Sequence, residues 1–130
     1  MRVSMPVSVL LTMLLIAVTV PHTVEDFHFD EFHRFGVAPW QAAIVLSLVY
    51  VVQVAGAFFA GQRSRGGFAL LLVGGLIWAV GAFLIHGHEI AAAGVYRNGF
   101  ISKAMEVAII GLGIAVVIAA DVEGGRLKKR

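Results

Sequence analysis

Two short segments hold most of the residues able to bind a metal ion or move a proton. The first reads His22-Thr-Val-Glu25-Asp26-Phe-His28-Phe-Asp30-Glu31-Phe-His33; the second reads His86-Gly-His88-Glu89. Residues three and four apart share a helix face. On a helix His22, Glu25 and Asp26 project together, and Asp26, Asp30 and His33 continue the stripe. Imidazole and carboxylate on one face suit a hard or borderline divalent ion such as iron, zinc or manganese. The same segment also fits an amphipathic interfacial helix, with Phe27, Phe29, Phe32 and Phe35 in lipid and the acids in water. The two readings are compatible.

His86 and Glu89 repeat the spacing of His22 and Glu25 at an offset of 64 residues. Small bundles build metal sites from carboxylates on several helices plus a carboxylate–histidine pair three residues apart. Here the order within each pair is His then Glu, the reverse of the usual di-iron arrangement. Glu106 admits two positions. It pairs with Lys103 at the membrane interface, which is the favoured reading, or it points into the bundle towards His86 and Glu89. His88 and Glu106 are the acid/base or ligand-orienting candidates. Arg97 is a candidate for holding an anionic group.

The elements that must position these residues follow from composition. The chain has 130 residues, 59% hydrophobic and 14% charged, with a mean hydropathy of +0.90. A soluble domain carries about 45–50% apolar and about 25% charged residues. This excess of apolar sequence excludes a soluble enzyme and a disordered chain. A net charge of +2 argues against nucleic acid as a partner, and the chain has no cysteine, so disulfides and thiolate chemistry are excluded. No phosphate-cradling loop and no nucleophile elbow are present.

Crossing the hydrocarbon core takes about 20 mostly apolar residues. Four stretches qualify: about Val3–Val20, Trp40–Ala60, Phe68–Ile85 and Ala104–Ala120. The expected fold is therefore an all-α polytopic bundle of four transmembrane helices. It forms one membrane domain over residues 1–130, with a short interfacial helix from about Val24 to Phe35. Pro6 falls in a first turn, where its missing N–H costs little, and Pro21 is expected to end or kink the first span. An N-terminal arginine before an apolar run also fits a cleaved signal peptide. The length of the run and the lack of a small-x-small pair before Pro21 favour a retained span.

Arg2, Arg63, Arg65, Arg126, Lys128, Lys129 and Arg130 fall on one side of these spans; Arg34, Arg97 and Lys103 fall on the other. The positive-inside rule then places both termini in the cytoplasm of a multi-pass cell-membrane protein. All five histidines and six of the eight acids (Glu25, Asp26, Asp30, Glu31, Glu89, Glu106) gather on the outward side. Ionisable groups near membrane depth are costly and tend to be paired or functional. Gly56 with Ala60, Ala57 with Gly61, and Gly75 with Ala79 are small-xxx-small pairs that let helices approach, and Gly111 and Gly113 thin the last span. Such faces also allow a homo-oligomer. Trp78 and Gln53 lie mid-span, and Gln53 is expected to hydrogen-bond between helices.

In layout the chain resembles the small membrane proteins named for an HXXEE motif. In that family His-x-x-Glu-Glu closes the first span, a histidine ends a later span, and Tyr-x-x-Gly leads into the last. The matching residues are His22, Glu25 and Asp26, then His86, then Tyr96 and Gly99. Asp26 departs from the motif, keeping the charge of a glutamate on a shorter arm. The resemblance implies the four-span layout and these site residues, and it implies no activity.

Two functions fit. One is a divalent-metal site with ligands His22, Glu25, Asp26, His86 and Glu89, whose bound water acts on a lipid-like substrate arriving from the bilayer. The other is a non-catalytic binding or accessory subunit, in which the polar cluster only ties loops and helix ends together.

Overall fold

The computed structural model describes residues 4–94 and 99–127. Among them are five helices and no strand: α1 Val7–His28, α2 Glu31–Arg34, α3 Pro39–Gly61, α4 Arg65–Ala91 and α5 Gly99–Arg126. Four of these are long and apolar enough to cross a membrane. The expected all-α bundle of four spans is observed. Its outer faces carry large apolar side chains such as Leu48, Val51, Phe58 and Leu84, all more than half exposed. A surface of that kind is stable against lipid and costly against water. The protein is a multi-pass membrane protein.

The helix boundaries differ from those expected in ways that matter for the site. Helix α1 does not end at Pro21 but continues through it to His28. A proline removes one backbone hydrogen bond, a loss that packed membrane helices tolerate. His22, Glu25 and Asp26 therefore ride on the spanning helix itself. The continuous interfacial helix expected from Val24 to Phe35 is divided: Asp30 takes a left-handed conformation (φ 54°), and α2 is a single turn. Aspartate is one of the few residues other than glycine that enters this region readily. Helix α4 extends past Ile85 to Ala91, and α5 starts at Gly99, five residues before the expected boundary. Arg2, Tyr96, Arg97, Lys128, Lys129 and Arg130 lie outside the described residues.

Pro39 occupies the first turn of α3, where its fixed φ suits a helix start. The Ala38 N–H donates to the Gln41 side chain (3.0 Å), closing that turn. The four long helices form a ring in chain order: α3 packs on α4, α4 on α5, and α5 closes on α1. The α4–α5 contact is the most extensive and runs over glycine. A Cβ added at Gly75 would stand 2.8 Å from the Gly113 carbonyl oxygen, and one at Gly113 would stand 2.8 Å from that of Gly75. Gly67 meets the Ala60 backbone so closely that any Cβ would overlap it. By contrast, Gly111 faces open space and thins nothing. Leu15, Leu71, Ile109 and Val116 fill the centre. The expected mid-span pairing is present, with the Trp78 indole N–H donating to Gln53 Oε1 at 2.9 Å.

The start of α1, the α3–α4 turn and the end of α5 share one end of the bundle, called here the terminal end. Glu123 accepts hydrogen bonds there from the Val7 N–H (2.9 Å), the Ser8 N–H (3.1 Å) and the Ser8 hydroxyl (2.6 Å). Arg63 donates to the Ser4 carbonyl (2.7 Å) and Arg65 to that of Leu127 (2.9 Å). Carboxylate at a helix start and arginine at a helix end complement the helix dipoles.

Candidate metal centre

The opposite end gathers the chemistry. Helix α1 contributes His22, Glu25 and Asp26 from consecutive turns, α4 contributes His86 and Glu89, and α5 contributes Glu106. His22 and His86 are almost fully buried, and their rings meet edge to face with centroids 5.1 Å apart. The two His-x-x-Glu segments thus converge in space, a point periodicity alone leaves open in all-apolar helices. Two sets of ligating atoms each lie within 4.8 Å of one another: His22, Asp26 and His86, and His86, Glu89 and Glu106.

Distances distinguish the two sets. His22 Nε2 lies 3.6 Å from Asp26 Oδ2, and His22 Nδ1 lies 3.6 Å from Glu25 Oε2. Both gaps exceed hydrogen-bond length. Two ligands held about 2.1 Å from one tetrahedral ion stand about 3.4 Å apart, so the first gap is close to ligand spacing. His22 Nδ1 and Glu25 Oε2 are buried and have no hydrogen-bond partner among the described residues. In the second set the groups already engage each other or a neighbour. His86 Nδ1 stands 3.1 Å from Glu106 Oε1, and Glu89 Oε1 accepts from Arg34 at 2.8 Å.

Glu106 is 1% exposed. The favoured sequence reading, an interfacial pair with Lys103, is therefore corrected: the carboxylate points inward to His86. The reason is register, since Ser102, Glu106, Ile109 and Gly113 share the buried face of α5. His88 is exposed and belongs to neither set. It lies two residues from His86, about 200° around the helix, so the two cannot share a face. The expected stripe from Asp26 to His33 ends where α1 ends. Asp30 and His33 pair with each other at 2.7 Å on the surface. Glu25 stands beside His22 without joining either ligating set.

Some participants were not anticipated. Arg34 bridges Glu31 Oε2 and Glu89 Oε1, both at 2.8 Å, and fastens α2 across the end of α4. The local Glu31-x-x-Arg34 spacing was visible in the sequence, but its reach to Glu89 was not. Thr23 and Tyr50 share a hydrogen bond (3.1 Å) between α1 and α3. Phe32, expected in lipid, instead lines a cavity of about 160 Å³ beneath the cluster. His22, Asp26 and His86 form the polar end of that cavity, and Leu46, Val49, Trp78 and Ile109 are among its apolar walls. Comparisons with protein-family models, curated proteins and solved structures find no match.

Proposed function

We propose that this chain is a membrane metalloprotein holding one divalent iron, zinc or manganese ion on His22 Nε2, Asp26 and His86. The carrying observation is the set of three ligating atoms within 4.8 Å, backed by carboxylates and facing a cavity. Glu25 stands behind the other nitrogen of His22, and Glu106 stands behind Nδ1 of His86. Carboxylates so placed fix the ring orientation of metal-bound histidines and make them better donors. Two histidines and one carboxylate leave coordination positions open, as in catalytic rather than structural sites. A metal in such a site supplies a water made nucleophilic near neutral pH. The chain's own part is to hold the ion, orient the rings and keep bulk water from the apolar side. The substrate on this reading is membrane-soluble, because His22, Asp26 and His86 line a cavity whose other walls are mostly apolar.

Glu89 then serves as an anchor for Arg34 in place of the ligand role first assigned to it, and His88 has no part in the centre. Placement with the HXXEE-motif proteins belongs to the same reading, Asp26 replacing the second glutamate. The cation distribution puts the terminal end in the cytoplasm and the centre at the outer face.

The test is elemental analysis of tag-free protein in mild detergent, which should find about one equivalent of metal per chain. His22→Ala and His86→Ala should each lose the metal while the protein still inserts and folds. Full occupancy in both variants would refute the ligand assignment. Failure of both to accumulate in the membrane would favour the accessory-subunit reading, in which the cluster only ties helix ends together.

A further inference from the structure

The cavity beneath the centre has a sideways opening. Its walls include Val45 of α3 and Ile77 and Ile85 of α4, which are 58%, 42% and 45% exposed on the lipid-facing surface. The wall residues from α1 and α5 are buried or half-buried. The space therefore meets the bilayer between α3 and α4 and runs inward to His22, Asp26 and His86. The packing explains the gap. Helices α3 and α4 are drawn together at Gly67 against Ala60 and at Gly56 against Leu71, both towards the terminal end. Gly81, nearer the centre, lines the cavity, and a Cβ there would meet nothing within 4 Å.

We infer that this cavity seats the tail of a neutral single-chain lipid whose head, a hydroxyl or carbonyl oxygen, lies at the His22–Asp26–His86 cluster. The volume is close to that of the engineered apolar cavity of about 150 Å³ that binds benzene, enough for roughly six carbons of a chain. The rest of the tail lies in the bilayer beyond Ile77 and Ile85. Charge selects the head. Where the head lies, the carboxylates of Glu25 and Asp26 flank His22 at 3.6 Å, so a phosphate there would meet like charge at low dielectric. A neutral oxygen can approach the same cluster as an acceptor or a ligand. The head's position rests on the proposed metal reading; the tail's position rests on the cavity alone.

The experiment is photolabelling of the full chain in nanodiscs with a long-chain alkanol carrying a diazirine in its tail, read by peptide mapping alongside metal content. Labelling is expected on the Val45, Ile77 and Ile85 walls. Gly81→Leu, which fills the cavity from a position with open space, should lower it about tenfold or more and leave metal content unchanged. Gly81→Ala, too small to fill the space, should label as the parent does. Unlabelled alkanol should compete, and an alkyl phosphate of equal length should not. Label spread over all lipid-facing helices and indifferent to Gly81→Leu would overturn the tail site, whatever the metal content. Equal competition by the alkyl phosphate would overturn the choice of head. Wall labelling that obeys the Gly81 series in a protein without metal would uphold the tail site and refute the metal reading separately.

Discussion

The two ends of this bundle use the same kinds of side chain to opposite effect. At the terminal end Glu123 accepts three hydrogen bonds of 2.6–3.1 Å, and Arg63 and Arg65 cover backbone carbonyls. At the other end His22 stands 3.6 Å from both Glu25 and Asp26, and its Nδ1 is left without a hydrogen bond. Helix spacing follows the same division. Glycine brings backbones into contact between Ala60 and Gly67, whereas a cavity of about 160 Å³ separates the helices near the histidines. A buried polar group with a hydrogen bond at normal length stabilises a fold; one held off at ligand spacing is destabilising unless something else binds it. One end fastens the helices; the other, on the proposed reading, keeps a place ready for a metal.

The contrast predicts that stability and metal binding can be damaged separately. The largest effect should come from Gly67→Ala, whose methyl group overlaps the Ala60 backbone. It should cost about 3 kcal/mol, seen as a large drop in the detergent melting temperature, with metal per folded chain unchanged. Metal lost in proportion to stability would show that the ends are not independent. Glu106→Gln should weaken metal binding roughly ten- to hundredfold in a chelator competition while leaving the melting temperature nearly unaltered. Glu123→Ala should cost about 1–2 kcal/mol and speed hydrogen exchange at the start of α1, without touching metal affinity. Trp78→Phe, which removes the bond to Gln53 between the two ends, should cost only about 0.6 kcal/mol, the usual size of a polar contact between membrane helices.

Much of the architecture was legible because the bilayer imposes a length and a composition that leave few alternatives. The candidate residues were legible for a related reason: charge is so costly at membrane depth that His22, Asp26 and His86 stand out against their surroundings. Rotation was not legible. In α5 nearly every position is apolar, so nothing in the periodicity showed that Glu106 shares the buried face with Ile109, and the interfacial pairing with Lys103 looked simpler. The break at Asp30 was hidden because no glycine or proline marks it. Arg34 was hidden because its partner Glu89 lies 55 residues away in sequence, beyond any local pattern. His88 lies close to His86 in sequence, but the helical turn of about 100° per residue puts it on another face, exposed and outside both ligating sets.

The hydrogen bond between Val7 and Glu123 joins positions 116 residues apart. Translation and membrane insertion proceed from the first helix to the last, so α1 enters the bilayer long before the carboxylate that caps it has been synthesised. The same delay applies to the centre, since Glu106 reaches His86 only once α5 is in place. A nascent chain carries His22, Asp26 and His86 without the group that orients His86. On the proposed metal reading, the order of synthesis therefore completes the support of His86 only in the last step of assembly.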